Sequence, residues 1–220
     1  MWDFCIAQCQ EAQCLSLPGH GDKIDLVCPE NMAEIAEILL NEIDADQPYQ
    51  IIGHSMGGYL IPSLIQLGAR PVKIGLFHSR VGADDSEKKA QRKRAIDLVQ
   101  DNKSLYIRTM ITHLFSDGFK VKKYHIIDRL IEEANQIDVS NIIACQKAMM
   151  NRSCGLSTIL ESKISSHFFA GSKDNSVTLA QISEEIIQMN SISTLRIEEN
   201  IGHMGHWERP EAALDWLHRL

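Results

Sequence analysis

The sequence predicts an α/β fold with a mainly parallel sheet, and two observations support this prediction. Apolar runs of strand length alternate with amphipathic segments of helix length, which is typical of βα units. The 220 residues are 44% hydrophobic and 23% charged, an ordinary composition for a single globular domain. We expect five short strands, at residues 14–17, 49–53, 73–78, 167–170 and 194–198.

The middle of the chain has a different pattern. Strand-like runs vanish after residue 79, and helical stretches follow near 86–101, 105–115, 124–135 and 139–151. We interpret this block as an inserted helical cap, with core segments at 1–79 and 163–220 and the cap at 80–162. The basic run at 88–94 lies beside acidic residues, which favours a solvated helix face of mixed charge.

Composition and charge exclude several classes of function. A formal net charge of −7 disfavours nucleic acid or an anionic membrane surface as the main partner. No apolar run approaches the ~18 residues needed to span a bilayer, and the first ten residues lack the features of a secretory signal. None of the six cysteines forms a Cys-x-x-Cys pair, so we predict neither a metal nor a cofactor. We expect a cytoplasmic protein acting on a small neutral or apolar molecule.

One short motif carries the first chemical hypothesis. Residues 53–57 read GHSMG, directly after an apolar run and directly before a helical stretch. In a strand–turn–helix context this spacing exposes Ser55 as a nucleophile, and the flanking glycines remove Cβ atoms that would collide. The backbone N–H of Met56 would then lie at a helix N-terminus, where it can bind developing negative charge. The alternative is a glycine-rich turn with an inert serine.

A serine hydroxyl needs a base and an orienting carboxylate, and the last third of the chain supplies both in the expected order. Asp174 lies just beyond an apolar run, at the edge where α/β sites assemble. Its alternative interpretation is a plain turn aspartate, with Asp84 or Asp85 as reserve acids. His203 follows the last predicted strand and is our general base, while His206 is close enough to compete.

Four motifs in order make the chain resemble the α/β-hydrolase superfamily. They are LPGHGDK at 17–23, GHSMGG at 53–58, AGSKD at 170–174 and GHMGHWERPE at 202–211. The resemblance implies that Ser55 attacks an acyl carbon, His203 takes the proton and Asp174 orients His203. Fragments of the predicted cap are similar to capped esterases related to 3-oxoadipate enol-lactonases.

The chain also departs from that family. Its members carry a His-Gly stretch before the first helix, and a backbone N–H there completes the oxyanion hole. This sequence has no such stretch, so Met56 is the one oxyanion donor that we identify. We therefore expect that Met1 is not the natural start, that a central strand is missing, and that exposed sheet edges promote self-association.

These observations predict a serine hydrolase that cleaves a small carboxylic ester, lactone or thioester. Acyl transfer and C–C hydrolysis use the same serine chemistry and remain open. The rival hypothesis is a non-catalytic binding protein, or a form impaired by the missing oxyanion segment.

Overall fold

The computed structural model describes residues 2–9, 11–189 and 193–220. Its strands form one parallel sheet in the order β1-β2-β3-β4, which is also the order along the chain. Because all the strands run the same way, their carboxyl ends meet at one edge of the sheet. The strands are β1 (Gln50–His54), β2 (Lys73–Phe77), β3 (Ser165–Gly171) and β4 (Ser193–Glu198).

Helices cover both faces of this sheet. The helices of the described chain are α1 (Asp3–Gln8), α2 (Met32–Leu40), α3 (Met56–Gln66), α4 (Ser86–His113), α5 (Asp117–Lys122), α6 (Tyr124–Ala134), α7 (Val139–Asn151), α8 (Leu156–Ser162), α9 (Leu179–Met189), α10 (Gly205–Glu208) and α11 (Pro210–Arg219). In the part of the chain that the structure describes, no helix is both long enough and apolar enough to cross a membrane.

Alternation along the strands divides the core between the two faces. Leu76 and Phe168 are fully buried against α3, α8 and α9. Their neighbours Phe77 and Phe169 point the other way, stack with ring centroids 4.5 Å apart, and pack with Trp216 of α11. Successive side chains of a strand point to opposite faces, so these short apolar strands fill both layers at once.

Four of the five predicted strands form within one or two residues of the expected positions, but the strand predicted at 14–17 is wrong. The backbone carbonyl groups there accept hydrogen bonds from nearby residues and not from a neighbouring strand. The Ser16 carbonyl accepts from Lys23 Nζ at 3.0 Å, and the Leu17 carbonyl accepts from His20 N at 3.0 Å. Gly19, with φ of +78°, turns the chain immediately afterwards.

Helices α4 to α8 lie between β2 and β3, and α4 to α7 share a separate hydrophobic cluster. Helix α4 breaks at Asn102, where φ is −150° and ψ is 84°, between the two helical stretches predicted from the sequence. The cluster includes Ile107, Ile111 and Phe115, together with Met204 and Trp207 from the far end of the chain. The helical segment therefore packs directly on the loop that follows β4.

One residue of the basic run departs from the predicted solvated face. Arg92 is 7% exposed and donates to Asp84, and Arg152 pairs with the same carboxylate at 2.8 Å. The Arg152 guanidinium also lies 3.8 Å from the centre of the Tyr59 ring. Burial is tolerated because each charge has a partner, and this network ties α4 and the end of α7 to α3.

Candidate active site

Ser55 lies in a strained turn between β1 and α3. Its φ of 51° and ψ of −117° are rare for a residue with a side chain, and such strain persists only where the surroundings enforce it. Here Ser55 N donates to the Phe77 carbonyl at 3.1 Å, and Ser79 Oγ donates to the Ser55 carbonyl at 2.7 Å. The end of β2 thus holds the serine in place.

The glycines of the motif have unequal roles. A Cβ on Gly53 would overlap backbone atoms of Gly57 and Gly58, and a Cβ on Gly58 would overlap the Ser79 side chain. A Cβ on Gly57 would meet no atom within 4 Å. The expected collision is therefore real for the first glycine of the motif and wrong for the second, because α3 approaches β1 through Gly53 and Gly58.

Asp174 lies in the turn after β3 and has an oriented carboxylate. Its Oδ1 accepts from the backbone N–H groups of Ser176 and Val177 at 2.8 and 3.0 Å. Its Oδ2 accepts from His203 Nδ1 at 2.8 Å. Asp174 does stabilise a local turn through Oδ1, as the alternative interpretation predicts. The same hydrogen bonds orient the carboxylate so that Oδ2 faces His203.

His203 joins the carboxylate to the serine. Its Nε2 lies 2.8 Å from Ser55 Oγ, so a continuous chain of hydrogen bonds runs from Asp174 through His203 to Ser55. Its backbone N–H donates to the Leu114 carbonyl at 2.7 Å, and its carbonyl accepts from His54 Nε2 at 3.2 Å. The structure brings together the three residues predicted from separate motifs.

The histidines around Asp174 keep it ionised. Burial alone would raise the pKa of the Asp174 carboxyl group, but positive charge on His203 and the hydrogen bonds from His203 and His78 outweigh burial and lower that pKa. The carboxylate can then balance positive charge on His203 when that ring accepts a proton.

The reserve candidates lie away from this chain of hydrogen bonds. Asp84 pairs with Arg92 and Arg152, and Asp85 caps α4 by accepting from Lys88 N at 2.7 Å. His206 is 4% exposed and stacks on Trp2 with ring centroids 4.4 Å apart. Neither ring nitrogen of His206 has a hydrogen-bond partner in the described structure.

Sequence reasoning missed three side chains around the site. His78 donates from Nδ1 to Asp174 Oδ2 at 2.9 Å, and the His54 ring lies 5.5 Å from that of His203. Glu208 accepts from Gly202 N at 2.9 Å and also from Ser116 N and Oγ. For His78 a signal was available, because it directly follows a buried strand at the same sheet edge as Asp174.

The start of α3 offers a donor for an anion. Met56 is the first residue of α3, so its N–H has no intrahelical acceptor and is available to an anion.

The side chains around Asp174 also have the spacing of a possible metal site. Ligand-type atoms of His78, Asp174 and His203 lie within 4.8 Å of one another, a spacing that could hold a metal ion. Hydrogen bonds of 2.8 and 2.9 Å already join the two Nδ1 atoms to Asp174 Oδ2, which accounts for the cluster without one.

The family model for alpha/beta hydrolases matches residues 12–216. This chain therefore belongs to the alpha/beta hydrolase family, and its four-stranded parallel sheet with flanking helices has that family's fold. No curated protein matches the chain in sequence.

Solved structures agree on the fold. An esterase from Thermogutta terrifontis, with malate bound, is 18% identical with a TM-score of 0.86, over 99% of this chain and 83% of that one. The Exiguobacterium antarcticum esterase EaEST is 12% identical with a TM-score of 0.83, over 99% and 85%. A bromoperoxidase from Bacillus anthracis is 14% identical with a TM-score of 0.83, over 99% and 86%. At such identities the likeness concerns the fold alone.

Proposed function

We propose that this protein is a serine hydrolase that cleaves a small carboxylic ester, lactone or thioester through an acyl-enzyme on Ser55. The observation that carries the proposal is the chain of hydrogen bonds from Asp174 Oδ2 to His203 Nδ1 and from His203 Nε2 to Ser55 Oγ, each 2.8 Å long. This arrangement meets the geometric requirement for an activated serine nucleophile, a base and an orienting acid.

In the acylation step, His203 Nε2 removes the proton from Ser55 Oγ as that oxygen attacks the acyl carbon. The bond to the leaving group then breaks, and His203 returns the proton to the departing oxygen or sulfur. Asp174 stays ionised throughout and stabilises the transient imidazolium. Water completes the cycle. His203 takes a proton from the water as it attacks the acyl-enzyme, the bond between the acyl carbon and Ser55 Oγ breaks, and His203 returns the proton to Oγ as the acid product leaves.

The negative charge that develops on the acyl oxygen needs donors. The Met56 N–H is suited to donate to this oxygen, since Met56 begins a helix of 11 residues directly after the proposed nucleophile. A single donor of this kind contributes about 10²–10³-fold to turnover. We propose Met56 as the oxyanion donor that the described residues supply.

The names of the structural neighbours support an ester-like substrate without defining it. Two of them are described as esterases and one as a bromoperoxidase. We propose a small uncharged acyl compound as the substrate, since the formal net charge of −7 disfavours strongly anionic partners.

The rival hypothesis is a binding protein with this fold and no turnover. Two observations weigh against it. Ser55 has strained backbone angles that a binding pocket does not need, and His203 is aligned with both of its partners. An impaired enzyme would still react covalently at Ser55 but would turn over slowly, so labelling and turnover must be measured separately.

The test is Ser55→Ala, with Ser104→Ala on an exposed position as the matched control. We expect Ser55→Ala to abolish labelling by a fluorophosphonate probe and to lower p-nitrophenyl acetate hydrolysis by about 10⁴-fold or more, because triad members act as a unit. The Ser104→Ala protein should behave like wild type. Undiminished hydrolysis by Ser55→Ala would refute the proposal. If the wild-type protein is labelled at Ser55 but does not turn over, it is the impaired form.

A further inference from the structure

A second imidazole shares the carboxylate oxygen that orients the base. Asp174 Oδ2 accepts from His203 Nδ1 at 2.8 Å and from His78 Nδ1 at 2.9 Å. Its other oxygen accepts two backbone N–H groups from the turn that follows. The carboxylate therefore has four donors, and three of them hold it for the fourth, which is His203.

The backbone delivers His78 to this position under strain. His78 directly follows β2, has a φ of +47°, and donates its backbone N–H to the Phe169 carbonyl at 2.8 Å. Side chains rarely adopt positive φ, and such outliers concentrate at functional sites. A residue needed only to fill space at the end of a strand would not require this conformation.

The surroundings of His78 determine which of its nitrogens carries the proton. The side chain is fully buried, and Nε2 has no partner in the described structure because it packs against Gly205, where a Cβ would overlap it. The titratable groups around the ring are Asp174, His203, His54 and His206, and the rings of Phe77 and Phe169 also pack against it.

Burial in this environment lowers the pKa of His78, although the hydrogen bond to Asp174 opposes that effect. The ring is therefore neutral, with its single proton on Nδ1, where it donates to the carboxylate. A neutral donor fixes Asp174 without cancelling its charge, and that charge stays available to the imidazolium of His203.

We propose that His78 is a positioning residue for the Asp174–His203 pair, an inference that rests on the proposed hydrolase function. Without the His78 donor, the carboxylate loses one of four hydrogen bonds and can rotate about its side-chain bonds. His203 then spends less time aligned with Ser55. Small misplacements of a catalytic group reduce turnover steeply while leaving substrate binding nearly unchanged.

Two amide substitutions test this with matched chemistry. His78→Asn places an N–H near the position of Nδ1, whereas His78→Gln places its N–H near Nε2, away from Asp174. We expect His78→Gln to lower kcat by about 10- to 100-fold with KM changed less than about 3-fold, and His78→Asn to recover most of that loss. Leu76→Ala, a change at a buried position of the strand that precedes His78, controls for general destabilisation.

A measurement on the wild-type protein tests the hydrogen bond independently of the variants. Nitrogen-15 NMR of the histidine rings should show His78 as the neutral form protonated on Nδ1. The form protonated on Nε2, or equal kcat for both amide variants and wild type, would overturn the assignment. If wild-type hydrolysis does not depend on Ser55, the proposed function fails instead, and the NMR result still reports whether His78 bonds to Asp174.

Discussion

His203 and His206 are three residues apart and have opposite environments. His203 has a partner on each ring nitrogen, whereas both ring nitrogens of His206 are buried without one. Burial, followed by the neighbouring His54 and His78, holds the pKa of His206 well below its ordinary value. A neutral ring without hydrogen-bond partners is suited to packing and not to proton transfer, which favours His203 over His206 as the proposed base.

This contrast gives a test with two substitutions. His206→Phe keeps the stack on Trp2 and removes two unpartnered polar atoms, so we expect wild-type turnover, the same pH profile and equal or higher stability. His203→Gln should lose about 10⁴-fold or more in turnover. Steady-state hydrolysis across pH provides the measurement, and loss of activity in His206→Phe alone would reverse the assignment.

Among individual residues, the sequence predicts the candidate site residues that stand in ordered motifs. It misses those that only the fold brings to the site. Ser55, Asp174 and His203 are predicted because each follows a strand in a recognisable pattern. His78 also follows a strand, but no local spacing relates it to Asp174, 96 positions away. Register between β2 and β3 creates that contact, and a single sequence does not contain the register.

Among the elements, the turn between β1 and α3 depends on close approach at one glycine and not the other. We expect Gly53→Ala to prevent correct folding of the turn and to abolish activity, because its Cβ would overlap backbone atoms of α3. Gly57→Ala should keep the fold and raise stability by up to about 1 kcal/mol, the usual preference for alanine within a helix.

Denaturant unfolding and hydrolysis assays on both variants measure these effects. A Gly53→Ala protein as stable and active as Gly57→Ala would contradict the packing seen between β1 and α3.

The loop after β4 is held by Glu208, which accepts from Gly202 and from two atoms of Ser116. Burial raises the pKa of Glu208, although those hydrogen bonds oppose the effect. Removing the carboxylate leaves several donors without an acceptor. We therefore expect Glu208→Ala to lose a few kcal/mol of stability, at about 1–3 kcal/mol per buried donor.

The same change should also displace His203 and lower turnover by about 10- to 100-fold. Thermal unfolding and kcat measure the two effects. Glu211→Ala, an exposed glutamate on the next helix, is the matched control. Equal kcat for the two variants would show that the loop holds its position without Glu208.

Element prediction failed where backbone groups found local partners. The apolar spacing at 14–17 suits a strand, but its carbonyl groups accept hydrogen bonds from the Lys23 side chain and from the N–H of His20 in the following turn. The helical stretches of the middle segment were predicted more closely, because helical periodicity and capping are properties of neighbouring residues.

For the whole molecule, stability should fall as the pH drops below neutral. His78 and His206 are 0% and 4% exposed, and burial lowers the pKa of both below the ordinary value of about 6.5. Below that pH the unfolded chain binds protons that the folded chain does not. The free energy of unfolding therefore decreases with acidification, by up to about 1.4 kcal/mol per pH unit for each histidine.

Asp174 does not add to the pH dependence of the free energy of unfolding near neutral pH. Because its pKa is lowered in the folded state, its contribution is present above the unfolded value of about 3.9 and is lost only at lower pH. Denaturant titrations between pH 5.5 and 7.5 measure the slope. His206→Phe should reduce it by the contribution of one histidine and leave those of His78 and His54, whose pKa values are also lowered by burial. A free energy of unfolding that stays constant across this range would contradict the neutral, buried state of these rings.

The attachment of His203 to the Leu114 carbonyl has a consequence for evolution and engineering of this protein. Exchange of the helices between β2 and β3 is an obvious route to a new substrate range. Here the same helices supply a hydrogen-bond acceptor for His203, the proposed general base, and pack around Met204 and Trp207, which closely follow it in the chain. A chimera that shifts residues 114–116 would alter the rate of the chemical step along with selectivity, so recombination must preserve that short segment to vary one without the other.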